Sequence, residues 1–514
     1  MLRLVTAQQM KVIDQHAVSE HGITNLALME NAGRAVVDFT CAELGSLAGK
    51  RVLVVCGTGN NGGDGLVAAR LLAQLGATVY CALLGSRDRL KPEPKANAEL
   101  LLQTGITIRE IASPDALAPL FSNQDIVIDA LFGTGLTRPA QGLYADAIRL
   151  INDSGAYVVA VDIPSGVDAD TGLVYEPAVR ARLTVTMGLP KFGLYLYPGR
   201  TCVGKLKVAD IGYPRQLLED GGDTFLVDDD YVRGHLPRRS AQGHKGTFGT
   251  CLLICGSANF SGAACLAGRA AVRSGCGLVV LGFPQSLADI IGSRVIEAVK
   301  LPLPQTPAQT LSYAALEPIL DQAAEADCVA VGPGITTHAD TRKLVLGLLA
   351  EIKKPLVIDA DGINNLAGAL SALKQARPPI VLTPHPGELG RLINRPAEEV
   401  NADRINICRS FAQEHKVVLL LKGAPTVVGA PDGRVLVNPT GNSGLASGGT
   451  GDVLTGLVAG LIAQGAVPLA AAATAAFLHG RAADIAATEL TEYCLAATDL
   501  GDYLPRAFRS VLKD

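Results

Sequence analysis

The chain has no Cys-x-x-Cys pair, although it carries 11 cysteines. An odd count without metal spacing reads as reduced thiols in a cytoplasmic protein, not as a zinc or disulfide framework. It also has no basic cluster. With 45 Lys+Arg against 49 Asp+Glu and a net charge of −4, nucleic acid is not expected as a partner, because phosphate backbones need an electropositive face. Met1 to Met10 contains no long apolar stretch and no cleavage signal, so no secretory leader is expected. Charged residues make up only 18% and hydrophobic ones 48%, which permits a large core and argues against disorder. One long stretch, Val453 to Leu478, has no charge at all. It is rich in Ala and Gly and broken by Gln464, Gly465 and Pro468, so it reads as two buried helices and no membrane association is expected. Short-period repeats are absent too. The 56 glycines follow short apolar runs, as βα turns do, and 514 residues suggest two to four domains at roughly 150 residues each.

What is present is an alternation of strand and helix signals. Thr6 can cap an amphipathic helix with Met10, Ile13 and Ala17 on one face, and a second helix is expected near Leu26 to Leu44. Strands are expected at Arg51–Cys56, Thr78–Leu84, Ile126–Leu131 and Val158–Ile163, with a helix from about Asp64 to Leu75. Between Gly212 and Asp230 the pattern lapses. Pro214, Gly221, Gly222 and the acids Asp228, Asp229 and Asp230 suggest a boundary. The alternation restarts with strands at Thr250–Cys255, Gly277–Gly282, Cys328–Val331, Leu356–Asp359, Ile380–Thr383 and Val417–Leu421, and a helix at Gly262–Ser274. Two α/β units with parallel sheets are therefore expected, at about 1–215 and 222–514, with ligands at the carboxyl ends of the strands.

In the first half, Gly57-Thr58-Gly59-Asn60-Asn61-Gly62 is a literal G-x-G-x-x-G between strand and helix. Such a loop lets backbone approach phosphate and places the charge at a helix N-terminus. A dehydrogenase reading fails at the next strand, which ends without the acid that would hold a ribose. The loop carries instead Asn60, Asn61 and Asp64, which hydride transfer does not need; the plain alternative is a tight structural turn. Two further strand ends bear carboxylates. Asp129 precedes Gly133-Thr134-Gly135-Leu136-Thr137-Arg138-Pro139, and Asp162 precedes Ile163-Pro164-Ser165-Gly166. Asp129 with Asn61 and Ser165 oxygens could hold a hard cation, Asp162 could serve as acid and base, and either could simply cap a helix.

In combination, Leu28-Met29-Glu30-Asn31-Ala32-Gly33-Arg34-Ala35, the glycine loop, Asp129–Leu136 and Asp162–Gly166 resemble the NAD(P)H-hydrate epimerase family over about residues 1–215. The resemblance implies a Rossmann-like fold. It implies a site for the hydrated nicotinamide nucleotide at Asn60, Asn61, Gly62, Gly63 and Asp64, at Gly133 to Pro139, and at Asp162, the acid/base of epimerisation at ring carbon six. It also implies potassium at Asn61, Asp129 and Ser165.

In the second half, Ser447-Gly448-Gly449-Thr450-Gly451-Asp452 precedes a long apolar helix. Small residues there expose amides, forming an anion hole for a transferring phosphoryl group, and Asp452 could take the proton of an attacking hydroxyl; an N-cap Asp is the alternative. Lys422-Gly423-Ala424-Pro425-Thr426, after another strand, suits a polyphosphate or adenine nucleotide. This arrangement resembles the ribokinase-like superfamily. More narrowly, Gly256-Ser257 with Ser261–Ala264, Val331–Gly334, Thr383-Pro384-His385-Pro386-Gly387-Glu388 and Lys422–Thr426 are similar to ADP- or ATP-dependent NAD(P)H-hydrate dehydratases. That similarity implies that Ala263, Gly334, His385 and Asp452 contact the hydrated nucleotide, and that residues 422–426 and Gly451 contact ADP, with magnesium. Asp359 and Asp361 read equally as magnesium-site neighbours and as caps. The whole chain thus resembles the bifunctional NAD(P)H-hydrate repair enzymes, with NADH- and NADPH-hydrates and ADP as partners and a homo-oligomer expected. The competing readings are a ribokinase-like small-molecule kinase and a non-catalytic nucleotide-binding module.

Overall fold

Thr6 opens the first helix by a reciprocal cap. Its hydroxyl accepts from Gln9 N at 3.1 Å, and the Gln9 side chain accepts from Thr6 N at 2.9 Å. The helix α1 (Ala7–Ser19) buries Met10, Ile13 and Ala17, the three expected positions, and α2 (Asn25–Leu44) follows. The structure, a computed structural model, describes residues 1–512; Lys513 and Asp514, the end of the second expected domain, lie outside it. The chain divides into two compact units, one of residues 3–222 and one of residues from 223 onward together with Met1–Leu2.

The first unit holds seven strands: β1 (Arg51–Cys56), β2 (Thr78–Leu84), β3 (Ile108–Ile111), β4 (Ile126–Ala130), β5 (Tyr157–Val161), β6 (Leu183–Met187) and β7 (Lys205–Ala209). Their order is β3-β2-β1-β4-β5-β6-β7, and every pairing is parallel. The order reverses between β1 and β4, so the crevice outside their carboxyl ends is where a ligand fits. β1 is buried almost throughout because parallel strands are covered on both faces; Leu53 and Val55 pack with Val127, Val158 and Ile148.

The second unit contains β8 (Thr250–Ile254), β9 (Leu278–Pro284), β10 (Val299–Leu303), β11 (Cys328–Val331), β12 (Leu356–Ile358), β13 (Ile380–Leu382) and β14 (Val418–Leu421). They lie in the order β14-β13-β12-β11-β8-β9-β10, all parallel, with the reversal between β8 and β11. An antiparallel pair, Val427–Gly429 and Val435–Val437, extends the sheet beyond β14. The uncharged stretch is indeed two helices, Thr450–Ala463 and Pro468–Cys494, broken at Gln464 with Pro468 in the first turn of the second. Among the described residues no helix is long and apolar enough to cross a membrane.

The segment 212–230, where the alternation lapses, contains the helix Arg215–Glu219 and the strand Thr224–Leu226, and the two units part within it between Gly222 and Asp223. Its acids begin a helix, Asp229–His235, whose N-cap Asp228 accepts from Tyr231 N at 2.7 Å. A run of carboxylates suits a helix N-terminus as well as it suits a linker. The helix after β1 starts at Asn60, not near Asp64, because the glycine loop winds directly into its first turn.

Candidate active sites

The first crevice is a cavity of about 980 Å³ lined by α1, the glycine loop, residues 131–136 and the ends of β5 and β6. The helix α3 (Asn60–Gln74) starts at Gly59 with no side-chain cap, so its first amides are left for a ligand. Gly62 permits this geometry: a Cβ there would lie 1.9 Å from the Gly57 carbonyl oxygen. Asn60, Asn61, Asp64, Gly133, Thr134, Gly135, Leu136 and Asp162 line the cavity. Gly62 and Gly63 are buried in the helix turn, and Thr137, Arg138 and Pro139 are outside the lining.

Asn61, Asp129 and Ser165 come together around the Phe132 backbone. Asn61 Nδ2 donates to Phe132 O at 3.0 Å, and Phe132 N donates to Ser165 Oγ at 3.0 Å. Ser165 donates to both Asp129 oxygens, through its hydroxyl at 2.7 Å and its amide at 2.8 Å. Asp129 is fully buried, and burial pushes its carboxyl up to about 6 despite these donors.

Asp162 follows β5 in the left-handed backbone region, with φ 66°. Three donors converge on its Oδ1: Lys191 Nζ at 2.6 Å, Thr186 Oγ1 at 3.0 Å and Met187 N at 3.1 Å. Lys191 is 1% exposed and also donates to Thr186 Oγ1 and Met187 O. Burial, reinforced by Asp162 and Asp14, holds the Asp64 carboxyl well above the usual range. Sequence reasoning missed Lys191, Thr186, Asp14 and Tyr213. Lys191 carried a signal, being a lone lysine just after an apolar strand, whereas the others are chosen by tertiary packing.

The second site is built around a carboxylate that the sequence left undecided. Asp359, at the end of β12, accepts Lys422 Nζ at 2.8 Å, Thr383 Oγ1 at 2.7 Å and Thr455 Oγ1 at 2.6 Å. These partners come from three different elements, so Asp359 is not a helix cap; Asp361 begins a short helix and accepts from Thr336 N at 2.9 Å. Burial disfavours the Lys422 ammonium, but Asp359 and Glu388 outweigh it and hold its pKa above the ordinary lysine value. A Cβ on Gly451 would lie 3.2 Å from Lys422 Nζ, which places the lysine against the start of the helix Thr450–Ala463. That helix begins at Gly449, in the left-handed region, without a side-chain cap. Asp452, in its first turn, has its carboxyl pushed up to about 7 by burial and then by Asp359.

The loop 422–426 is braced from below. Buried Arg404 donates to Lys422 O at 2.8 Å, Leu421 O at 3.2 Å and Pro425 O at 3.1 Å. Gly423 (φ 134°) has no room for a Cβ, which would lie 2.6 Å from the Arg404 guanidinium. Thr426 Oγ1 turns back to Gly423 O at 3.0 Å. Ala263 and Gly334 adjoin: a Cβ on Gly334 would meet Ala263 Cβ at 3.0 Å, and Gly334 O accepts from Ser257 Oγ at 2.7 Å. His385 caps its helix, with Nδ1 accepting from Gly387 N at 3.0 Å and Glu388 N at 3.3 Å. Its proton therefore belongs on Nε2, which faces Glu388 Oε1 at 3.4 Å. No group of three or more His, Cys, Asp or Glu side chains is arranged to hold a metal among the described residues.

Two sheets, one all-parallel and one parallel with an antiparallel extension, each with a reversal of strand order and a glycine-led, uncapped helix, define a two-unit α/β protein of nucleotide-binding architecture. The comparisons agree. The NAD(P)H-hydrate dehydratase family matches residues 251–506, and the family described as YjeF-related protein N-terminus matches residues 25–193. The bifunctional NAD(P)H-hydrate repair enzyme Nnr of Moorella thermoacetica is 43% identical over 99% of this chain and 97% of its own length. The protein of the same name from Thermofilum pendens is 40% identical over 100% of this chain and 97% of its own. A ribokinase-like superfamily protein from Enterococcus faecalis, 24% identical, superposes with a TM-score of 0.50 over 57% of this chain and 98% of its own, which shows the fold of the second unit. The chain belongs to the bifunctional NAD(P)H-hydrate repair enzyme family.

Proposed function

We propose that the first unit epimerises the R and S hydrates of NADH and NADPH, and that the second dehydrates the S hydrate at the expense of ADP, giving AMP and phosphate. The observation that carries this reading is Asp452: a half-buried carboxyl poised near 7 in the first turn of an uncapped helix, beside Lys422. A base with a pKa near the operating pH is matched to taking a hydroxyl proton as that oxygen attacks phosphorus. Lys422 and the amides of Gly451 and its neighbours hold the transferring phosphoryl group, and residues 422–426 hold the rest of ADP. Phosphate then leaves carbon six together with a proton from the neighbouring carbon, and the dihydropyridine is restored. Ala263, Gly334 and His385 Nε2 contact the hydrated ring. Magnesium, when bound, would neutralise charge on the ADP phosphates, while Asp359 holds Lys422, Thr383 and Thr455 in place beside them.

In the first unit, Asp162 is the acid and base at carbon six, oriented by Lys191. The phosphates of the nucleotide lie on the first amides of α3, and residues 133–139 with Asn60 and Asp64 enclose it. The oxygens of Asn61, Asp129 and Ser165 suit a hard monovalent cation, and potassium there would offset the burial of the Asp129 carboxylate. The test is near-ultraviolet absorbance of the protein with hydrated NADH, with and without ADP and magnesium. Restored reduced nicotinamide with free phosphate is expected, and Asp452→Asn should slow it by roughly 100-fold or more. A stable phosphorylated product would identify a small-molecule kinase instead.

A further inference from the structure

Epimerisation inverts one carbon, so a hydroxyl must leave one face of the ring and return to the other. A single carboxylate reaches one face. The first cavity has a second proton-bearing group that the reading above leaves unused. Asp14 lies on α1, one turn from Met10 and Val18, and all three line the same cavity as Asp162. A carboxyl on the inward side of an amphipathic helix is costly unless it is partnered or used. Its protein partner is Tyr213, which lies beyond β7 and donates its hydroxyl to Asp14 Oδ1. Asp14 therefore sits on the helix wall and Asp162 on the strand-end wall of one crevice. Charged and titratable groups facing this space are Asp64 from α3, Asp162 and Lys191 from the strand ends, Tyr213, Lys11 on α1 itself, and Lys91, Glu93 and Tyr144.

We propose that Asp14, held by Tyr213, is the second acid/base of the epimerase, serving the ring face opposite Asp162; the proposal rests on the epimerase reading. Protonated Asp14 gives its proton to the carbon-six hydroxyl. The C–O bond breaks, water leaves, and the ring-nitrogen electron pair stabilises the planar carbon as an iminium ion. Water then adds from the Asp162 side, forming the new C–O bond, and Asp162 takes its proton. The reverse reaction uses the same two groups with their roles exchanged, and solvent resets the protons. Burial raises the Asp14 carboxyl above its ordinary value, which suits a group that starts protonated.

The full chain is incubated with each purified hydrate in ¹⁸O-enriched water without ADP, and oxygen exchange and inversion are followed together by mass spectrometry and chiral separation. The parent should exchange and invert in step. In Asp14→Asn, inversion should fall at least tenfold, while Asp162 still removes and returns water on its own face, so one epimer exchanges oxygen without inverting. Asp162→Asn should exchange only the other epimer. Tyr213→Phe removes a bond that lowers the Asp14 pKa, so its pH profile should move upward. Inversion at the parent rate in Asp14→Asn, or equal loss of exchange from both epimers, would overturn the proposal. A parent that neither exchanges nor inverts would refute the epimerase reading itself.

Discussion

Replacing Asp359 by asparagine takes one negative charge from the second site at nearly constant size. Asp359 now accepts from Lys422, Thr383 and Thr455, and in the variant Lys422 keeps Glu388, at 3.8 Å, as its ion-pair partner, with Asp452 a further charged neighbour. Removing one partner of a buried ion pair costs about 3–5 kcal/mol, and the residual Glu388 contact puts the expected loss at the lower end. For a unit of this size, with an unfolding entropy of about 2.1 cal/mol/K per residue, about 3 kcal/mol corresponds to a melting point lowered by roughly 5 °C. The chemistry should shift as well. After burial, the Asp359 charge is the main influence holding Asp452 near 7, and Lys422 opposes it. With Asp359 neutral, the repulsion disappears and Lys422 acts less shielded, so Asp452 ionises at lower pH. As a base Asp452 works ionised, so the acidic limb of the dehydration rate, near pH 7 in the parent, should move to lower pH. The plateau should fall because the base is weaker. Initial rates of restored reduced nicotinamide at saturating ADP, taken across the acidic and neutral range, measure the limb. A limb that stays in place or moves upward, with unchanged melting, would refute this account of Asp452.

In a mixed hydrate sample, Asp162→Asn should repair the S epimer at the parent rate and then stall, as read by the fraction restored at early times; equal repair of both epimers would remove Asp162 from epimerisation. Asp129 titrates near 6 when folded against an ordinary value of 3.8, so the folded first unit holds an extra proton between them. Its stability should therefore fall as pH rises through that window, and potassium should raise the melting point above it, an effect that Asp129→Ala should lose. Gly62→Ala places a Cβ 1.9 Å from Gly57 O and should cost the first unit roughly 1–3 kcal/mol by denaturant melting. Residues 1–222 expressed alone should interconvert the hydrates without ADP, and residues 223–514 should consume one epimer only; loss of both activities on separation would contradict independent units.

The strands Ile108–Ile111, Leu183–Met187, Lys205–Ala209, Val299–Leu303 and the pair Val427–Gly429 and Val435–Val437 were missed, several of them carrying charged residues or being too short to stand out. The strands that were expected fell within about two residues of their places because parallel strands such as Arg51–Cys56 are continuous apolar runs between punctuating glycines. The carboxylates at strand ends were legible for the same reason, since a lone acid after such a run stands out. Asp359 was visible but ambiguous, because a cap and a buried ion-pair acceptor look alike until Lys422, 63 positions away, is placed beside it. Arg404, Asp14 and Tyr213 gave no signal. Each sits in an ordinary helix or loop pattern, and only the tertiary fold turns Arg404 under the loop 422–426 or aims Asp14 into the crevice. The start of α3 was misplaced because glycine and asparagine read as loop, although here close packing against Gly57 draws them into a helical turn.

The left-handed backbone at Asp162 narrows what mutation can do there. Among side-chain-bearing residues, asparagine and aspartate tolerate that conformation best, whereas branched or bulky residues are strained in it. On the role proposed for Asp162, the substitution that deletes the proton carrier is therefore also the one the local backbone accepts most readily. A lineage that no longer needed the first reaction could lose it by one base change from an aspartate to an asparagine codon while keeping a folded, ligand-shaped crevice. On the acid/base role proposed for Asp162, an asparagine at this position would remove the proton carrier and leave the local backbone unstrained, whereas a leucine or valine would strain it.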